Sequence, residues 1–275
     1  MAQPRPDGGS GNLALRIRSA AVFVPVTVAA FHFGFPWFDA LIVAAAGLML
    51  WEWARICGAG RFGLAGWAME VSVVAALIAL YLGHPGISVA LLAVAAAGFA
   101  VLGRAGARAH WVYLAFGVAL VGAFCIAFLV IRAAPEYGRT YALWLLFAVW
   151  ITDTGAYFSG RAIGGPRLAP RISPKKTWAG LVGGTLCAAV WSALWLPRED
   201  GMTLPLAIAA GLLAGLLAQA GDLSVSVVKR RFGVKDASGL VPGHGGVLDR
   251  LDGMLLTAPA LAVVLALLSI EGMGA

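Results

Sequence analysis

The chain has 275 residues, of which 61% are hydrophobic and 12% charged, with a formal net charge of +7 and a mean hydropathy of +0.87. Soluble globular chains carry about 25% charged residues, so a soluble enzyme, a disordered chain and a secreted disulfide scaffold are excluded. The composition predicts an all-α, polytopic integral membrane protein, because a hydrocarbon core of about 30 Å takes about 20 apolar residues per helix and leaves room for roughly nine spans. Its apolar runs are long and unbroken, without the alternation of a transmembrane barrel.

In chain order, residues 1–18 are polar and rich in Pro, Gly and Arg, and read as a disordered cytoplasmic tail. Nine apolar segments follow: 19–35, 37–54, 66–82, 86–102, 111–131, 140–158, 178–197, 204–221 and 253–270. The first is read as a retained span rather than a cleaved leader, because it is long and further spans follow. Residues 19–139 form an N-terminal group of helices. Residues 140–275 form a C-terminal group that carries two polar motifs, 153–178 and 219–253. Cys57, Cys125 and Cys187 are widely spaced in or beside apolar runs, where they read as small buried hydrophobes.

Lys and Arg concentrate in cytoplasmic loops. With the N-terminus inside, all but three of the 20 basic residues fall on the cytoplasmic side, the exceptions being Arg132, Arg139 and Arg198. That asymmetry places both long polar segments at the cytoplasmic face of an inner membrane. The positive charge then belongs to loops and anionic headgroups, not to nucleic acid.

More than half of the charged residues, including every lysine, lie between 153 and 252. Ionisable groups at a membrane are costly and mark function. In the first motif Asp153 ends a span, and Ser173-Pro174-Lys175-Lys176-Thr177 reads as a turn into the seventh segment. Ser173 would be its cap and Pro174 would sit in its first turn. Free amides and two ammonium groups at a helix start suit a phosphate; ordinary positive-inside anchoring is the other reading.

In the second motif, a helix continuing past residue 221 puts Asp222, Ser226 and Lys229 on one face. Gly233 interrupts it. Pro242-Gly243 and Gly245-Gly246 flank His244 in a tight loop, and Asp249 and Asp252 would share a helical face at the start of the ninth segment. Carboxylates beside cations at a membrane surface suggest Mg²⁺ and phosphate, with a two-metal arrangement possible. The competing readings are simple ion pairs: Asp249 and Asp252 with Arg250 or nearby arginines, and Asp222 with Lys229 or Arg230. His244 reads equally as a loop organiser.

Ser226, Lys229-Arg230, Lys235-Asp236, Pro242, His244-Gly245-Gly246, Asp249-Arg250 and Asp252 together resemble the signature of the phosphatidate cytidylyltransferases. The runs 153–157, 172–178 and 219–223 are similar to that family as well. Ala179 stands where the family has Glu, and Gly253 where Ser is common. The resemblance implies CTP and phosphatidate as substrates, CDP-diacylglycerol and pyrophosphate as products, and a homodimer. It implies Asp222, Asp249 and Asp252 as metal ligands, with Asp222, Asp249, Lys229 and Lys176 carrying the catalysis. Ser173, Lys175, Lys176, Ser226, Lys229, Arg230, Lys235, His244 and Arg250 would meet the phosphates of CTP and lipid. A CDP-alcohol phosphotransferase is a poorer match, since Asp249-Arg-Leu-Asp252-Gly253 lacks the Ala-Arg that should follow. A transporter or non-catalytic binder of an anionic lipid or nucleotide is the alternative of a different class, and it would want charges near the bilayer midplane.

Overall fold

The computed structural model describes residues 9–104, 110–199 and 202–273. The long helices are α1 (Gly9–Phe33), α2 (Trp37–Cys57), α3 (Gly63–Tyr81), α4 (Pro85–Arg104), α5 (Trp111–Ala133), α6 (Gly138–Ala162), α7 (Trp178–Glu199), α8 (Leu204–Arg231) and α10 (Met254–Met273). A four-residue helix, α9 (Leu248–Leu251), precedes the last of them, and two short strands, β1 (Arg167–Ala169) and β2 (Ser173–Thr177), lie between α6 and α7. The protein is thus an all-α polytopic membrane protein. Helices α2 to α8 are each long and apolar enough to cross a bilayer, and among the described residues α1 and α10 contribute the apolar stretches Ile17–Phe33 and Met254–Leu267.

Every predicted segment corresponds to a long helix, but two boundaries move. Helix α1 begins at Gly9, so residues 9–18 are helical rather than a disordered tail; residues 1–8 of that expected tail lie outside the described residues. Helix α8 runs ten residues past the apolar segment that ends at 221 and stops at Arg231, in keeping with a continuing helix interrupted at Gly233. Its polar last turns are held by side chains of neighbouring elements, which hydropathy does not register.

Helix α5 is apolar on all faces and buries an unbroken run from Phe124 to Leu129, as expected of a helix at the centre of a bundle. Helices α2, α3, α4 and α10 surround it. Trp53, Phe38, Phe124 and Phe128 are its largest fully buried neighbours and members. Arg132, at the end of α5, donates through Nε and Nη2 to the carbonyls of Phe31 and His32 (3.1 Å each), closing the last turn of α1.

Helices α6, α7 and α8 approach one another through small residues. A Cβ on Gly184 would lie 2.5 Å from the Thr152 carbonyl oxygen, and one on Gly211 2.5 Å from that of Ala188. Where lipid is as apolar as Leu, such close backbone packing is the main source of helix association. Trp144 adds a polar tie, its indole donating to Ser192 Oγ at 2.9 Å. Trp150 and Trp191 meet Phe147 edge-on and Trp195 meets it at a tilt, so the tryptophans of these spans pack the bundle. This tight three-helix unit brings the first polar motif, between α6 and α7, against the second, at the end of α8.

Candidate active site

The segment 173–177 is a strand, not a turn. It pairs antiparallel with β1, with Arg167 opposite Thr177 and Ala169 opposite Ser173. The cap of α7 is Thr177, whose Oγ1 accepts from the Gly180 amide at 3.0 Å; Ser173 is four residues too early. The strand separates the two lysines, since successive side chains point to opposite faces. Lys175 is exposed on the outer face, while Lys176 turns inward and is half-buried.

Lys176 reaches α8. Its Nζ lies 2.7 Å from Asp222 Oδ2 and donates to Gln219 Oε1 at 2.9 Å. The expected face of α8 forms: Ser226 Oγ donates to Asp222 Oδ1 at 3.1 Å, and Lys229 projects one turn further on. Asp222 therefore pairs with Lys176 across the two motifs, not with Lys229 or Arg230. Arg230 donates to the carbonyls of Ile172 and Val234 at 3.0 Å, binding the hairpin to the end of α8.

Lys229 is the partner of Asp249. The two charged atoms are 2.7 Å apart with side chains 9% and 7% exposed. Asp249 Oδ2 also accepts from the amides of Ala237 (2.8 Å) and Gly246 (2.9 Å). Asp249 and Asp252 do not share one helix, because α9 ends at Leu251 and α10 starts at Met254. Asp252 sits at the joint, accepting from the Gly253 amide at 2.8 Å. It lies within electrostatic reach of Asp222, Lys229, Asp153 and Asp249. Burial, and then the negative charge of Asp222, push its carboxyl well above the ordinary range.

His244 stands in the loop after Pro242, where its amide donates to Val241 and its Nδ1 shares a 2.8 Å hydrogen bond with Ser19 Oγ of α1. Ser19 Oγ donates in turn to the Pro242 carbonyl at 3.2 Å. Lys235 and Arg250 are exposed beside these groups, and Ser173 is half-buried at the start of β2. An apolar cavity of about 400 Å³ opens here between α1, α2, α5 and α6. Phe23, Phe31, Leu48 and Phe128 line its walls, and Asp153, His244, Asp249 and Arg250 its polar end.

The donors suit a hard divalent cation. Asp222, Asp249 and Asp252, with Asp153 close by, offer carboxylate oxygens whose mutual repulsion a cation relieves. Among the described residues no three carboxylate, imidazole or thiol groups form a ready cage. Mg²⁺ does not require one, since it usually takes one or two carboxylates and completes its shell with water and substrate phosphates.

Two contributors escaped the reading of the motifs. Ser19 is an ordinary serine in an apolar run. Glu52 was visible only as a charge near the end of the second segment, yet it is fully buried and bonded to the loop around residues 238–248. Its signal is a carboxylate set beyond the first turn of a mostly apolar helix, a position that is costly without partners.

The whole arrangement can be set beside known proteins. Residues 14–268 match the family model described as the cytidylyltransferase family. The chain belongs to that family. It is 36% identical over 258 residues to the phosphatidate cytidylyltransferase of Brucella suis, covering 91% of this chain and 92% of that protein. The phosphatidate cytidylyltransferase of Pseudomonas aeruginosa is 36% identical over 270 residues, 92% of this chain and 97% of the relative. With that of Bacillus subtilis the match is 39% over 143 residues, about half of each chain at 52% and 53%. As a cytidylyltransferase-family protein, the chain carries its ion-paired motifs at one end of the bundle, beside an apolar cavity.

Proposed function

We infer that this protein transfers the cytidylyl group of CTP to phosphatidate, releasing pyrophosphate and forming CDP-diacylglycerol. The observation that carries this reading is that the two charged motifs are joined through Lys176–Asp222 and reach the polar end of one apolar cavity through Asp153, His244, Asp249 and Arg250. A cavity that is greasy along its length and charged at its mouth suits a diacyl lipid with a phosphate head.

In the reaction, a phosphatidate oxygen attacks the α-phosphorus of CTP in line. A new P–O bond forms, the bond from the α-phosphorus to its bridging oxygen breaks, and pyrophosphate leaves with that oxygen. A phosphate monoester is already ionised at neutral pH, so no general base is needed. Catalysis then rests on positioning and charge neutralisation. Asp222, Asp249 and Asp252 would hold Mg²⁺, one ion or two, which supplies Lewis-acid neutralisation of the phosphates. Lys176 and Lys229 stand inward, where they can offset charge on the reacting phosphates. Lys175, Arg230 and Lys235 lie outward, where they can draw two anions to one site, and Arg250 stands at the polar end of the cavity. Ser173 and Ser226 are hydrogen-bonding groups for phosphate. His244, tied to Ser19, acts as the organiser of its loop.

The proposal includes nine spans, a cytoplasmic N-terminus and a site facing the cytoplasm of the inner membrane, supported by the distribution of Lys and Arg. It also includes the homodimer, which rests on the family resemblance alone. The test of function is transfer of label from the α-phosphorus of CTP into extractable lipid by the purified protein. Label from the γ-phosphorus should remain in pyrophosphate. Lipid labelling from the γ-position, or from neither, contradicts the reading.

A further inference from the structure

Glu52 lies on α2, in the first half of the chain, and is 0% exposed. Its oxygens meet three donors from one distant loop. Oε1 accepts from Ser238 Oγ and from the Val247 amide at 3.0 Å, and Oε2 accepts from the Leu248 amide at 2.7 Å. Gly246 passes so close to Glu52 that a Cβ there would collide with the carboxylate.

Asp249 grips the same loop from the other side. Its Oδ2 accepts from Ala237 and Gly246, the residues adjoining Ser238 and Val247, while its Oδ1 meets Lys229. Each of the two backbone segments, Ala237-Ser238 and Gly246-Val247, is therefore held between two carboxylates. One carboxylate belongs to the site; the other is remote from it in sequence and sealed from solvent. A buried carboxylate is retained only where donors compensate its desolvation, and here all three donors come from the loop that carries His244 and leads into Asp249.

We propose that Glu52 is a positioning residue for cytidylyl transfer: it fixes the loop 237–248 from outside, and so sets where Asp249 and its partner Lys229 stand. This deepens the function inferred above, and its kinetic arm rests on that reading. Glu52 touches no substrate. Its effect is to spare Asp249 a mobile backbone, as outlying hydrogen-bond partners do for the groups they orient.

The test compares wild type with Glu52→Gln, which preserves shape but presents an amide nitrogen to a backbone N–H. Turnover should fall about 10- to 100-fold, with the KM for CTP nearly unchanged. Amide hydrogen exchange in peptides covering 237–248 should accelerate at least about tenfold, while peptides of α7 and the apolar part of α8 keep wild-type protection. Ser238→Ala removes one donor of three and should lose less than Glu52→Gln; adding it to Glu52→Gln should cost little more. Wild-type exchange in the loop of Glu52→Gln overturns the proposal. So does loss of protection spread evenly through every helix, which would mark Glu52 as a fold residue only. If the wild-type protein gives no cytidylyl transfer, the functional reading fails separately and the exchange measurement alone decides the role of Glu52: acceleration confined to the loop supports it, and an unchanged loop overturns it.

Discussion

Lys229 Nζ and Asp249 Oδ1 stand 2.7 Å apart, both side chains more than nine-tenths withdrawn from solvent, and they join the end of α8 to the loop ahead of α10. Removing one partner of a buried pair strands the other charge and costs about 3–5 kcal/mol. Lys229→Met and Asp249→Asn should each abolish turnover, and Lys229→Met should also lower the thermal unfolding midpoint in detergent. The double variant should recover much of the stability and none of the activity. Recovery of turnover in the double variant would mean that the pair is structural and that neither residue meets the reacting phosphates.

The two adjacent lysines should behave differently. Lys176 is tied to Asp222 and Gln219 and turned toward the site, whereas Lys175 is on the outer face of β2. Lys176→Ala should reduce turnover by about 10²- to 10³-fold, the scale of losing one preorganised charge-stabilising donor. Lys175→Ala should stay within about fivefold, the worth of an exposed charge contact of under 1 kcal/mol. Steady-state rates of CTP consumption separate the two.

Asp252 yields a prediction in pH. Its carboxyl is raised in the folded protein by burial and by Asp222. In the unfolded chain it ionises near pH 4, so ionisation opposes folding increasingly as pH rises from about 4 through the folded-state value. Asp252→Asn removes that penalty. Without added Mg²⁺, the variant should be more stable than wild type at neutral pH, and the difference should shrink as the pH falls and vanish below about pH 4. Unfolding midpoints measured across that range check it, and the same variant should lose turnover.

Packing between α6 and α7 should be intolerant of a single methyl. In Gly184→Ala the new Cβ would lie 2.5 Å from the Thr152 carbonyl oxygen. Overpacking of this kind costs about 1–3 kcal/mol. It should lower both thermal stability and activity, because these two helices carry the first motif toward Asp222.

Hydropathy located the helices because bilayer thickness sets their length, so segments such as 37–54 and 111–131 sit within α2 and α5. The end of α8 is marked not by hydropathy but by Gly233, just past Arg231, because the turns that carry Asp222, Ser226 and Lys229 lie beyond the apolar run. The motif residues were legible, but their pairing was not. The competing ion-pair reading of Asp222 places its partner on the same helix, whereas the partner is Lys176; that of Asp249 names arginines, whereas the partner is Lys229. Such partners depend on which helices the glycines of α7 and α8 allow together. Ser173 reads as a cap because Ser-Pro resembles a helix entry, while the edge pairing with β1 that makes 173–177 a strand has no local signal. Glu52 was the farthest from view, its donors lying more than 180 residues away along the chain.

The most direct measurement is pyrophosphate release by the purified, detergent-solubilised protein supplied with CTP, phosphatidate and Mg²⁺, each omitted in turn. Release should require all three and be absent in Asp249→Asn. Release that persists without phosphatidate, or none at all from folded protein that still binds CTP, would contradict cytidylyl transfer to phosphatidate.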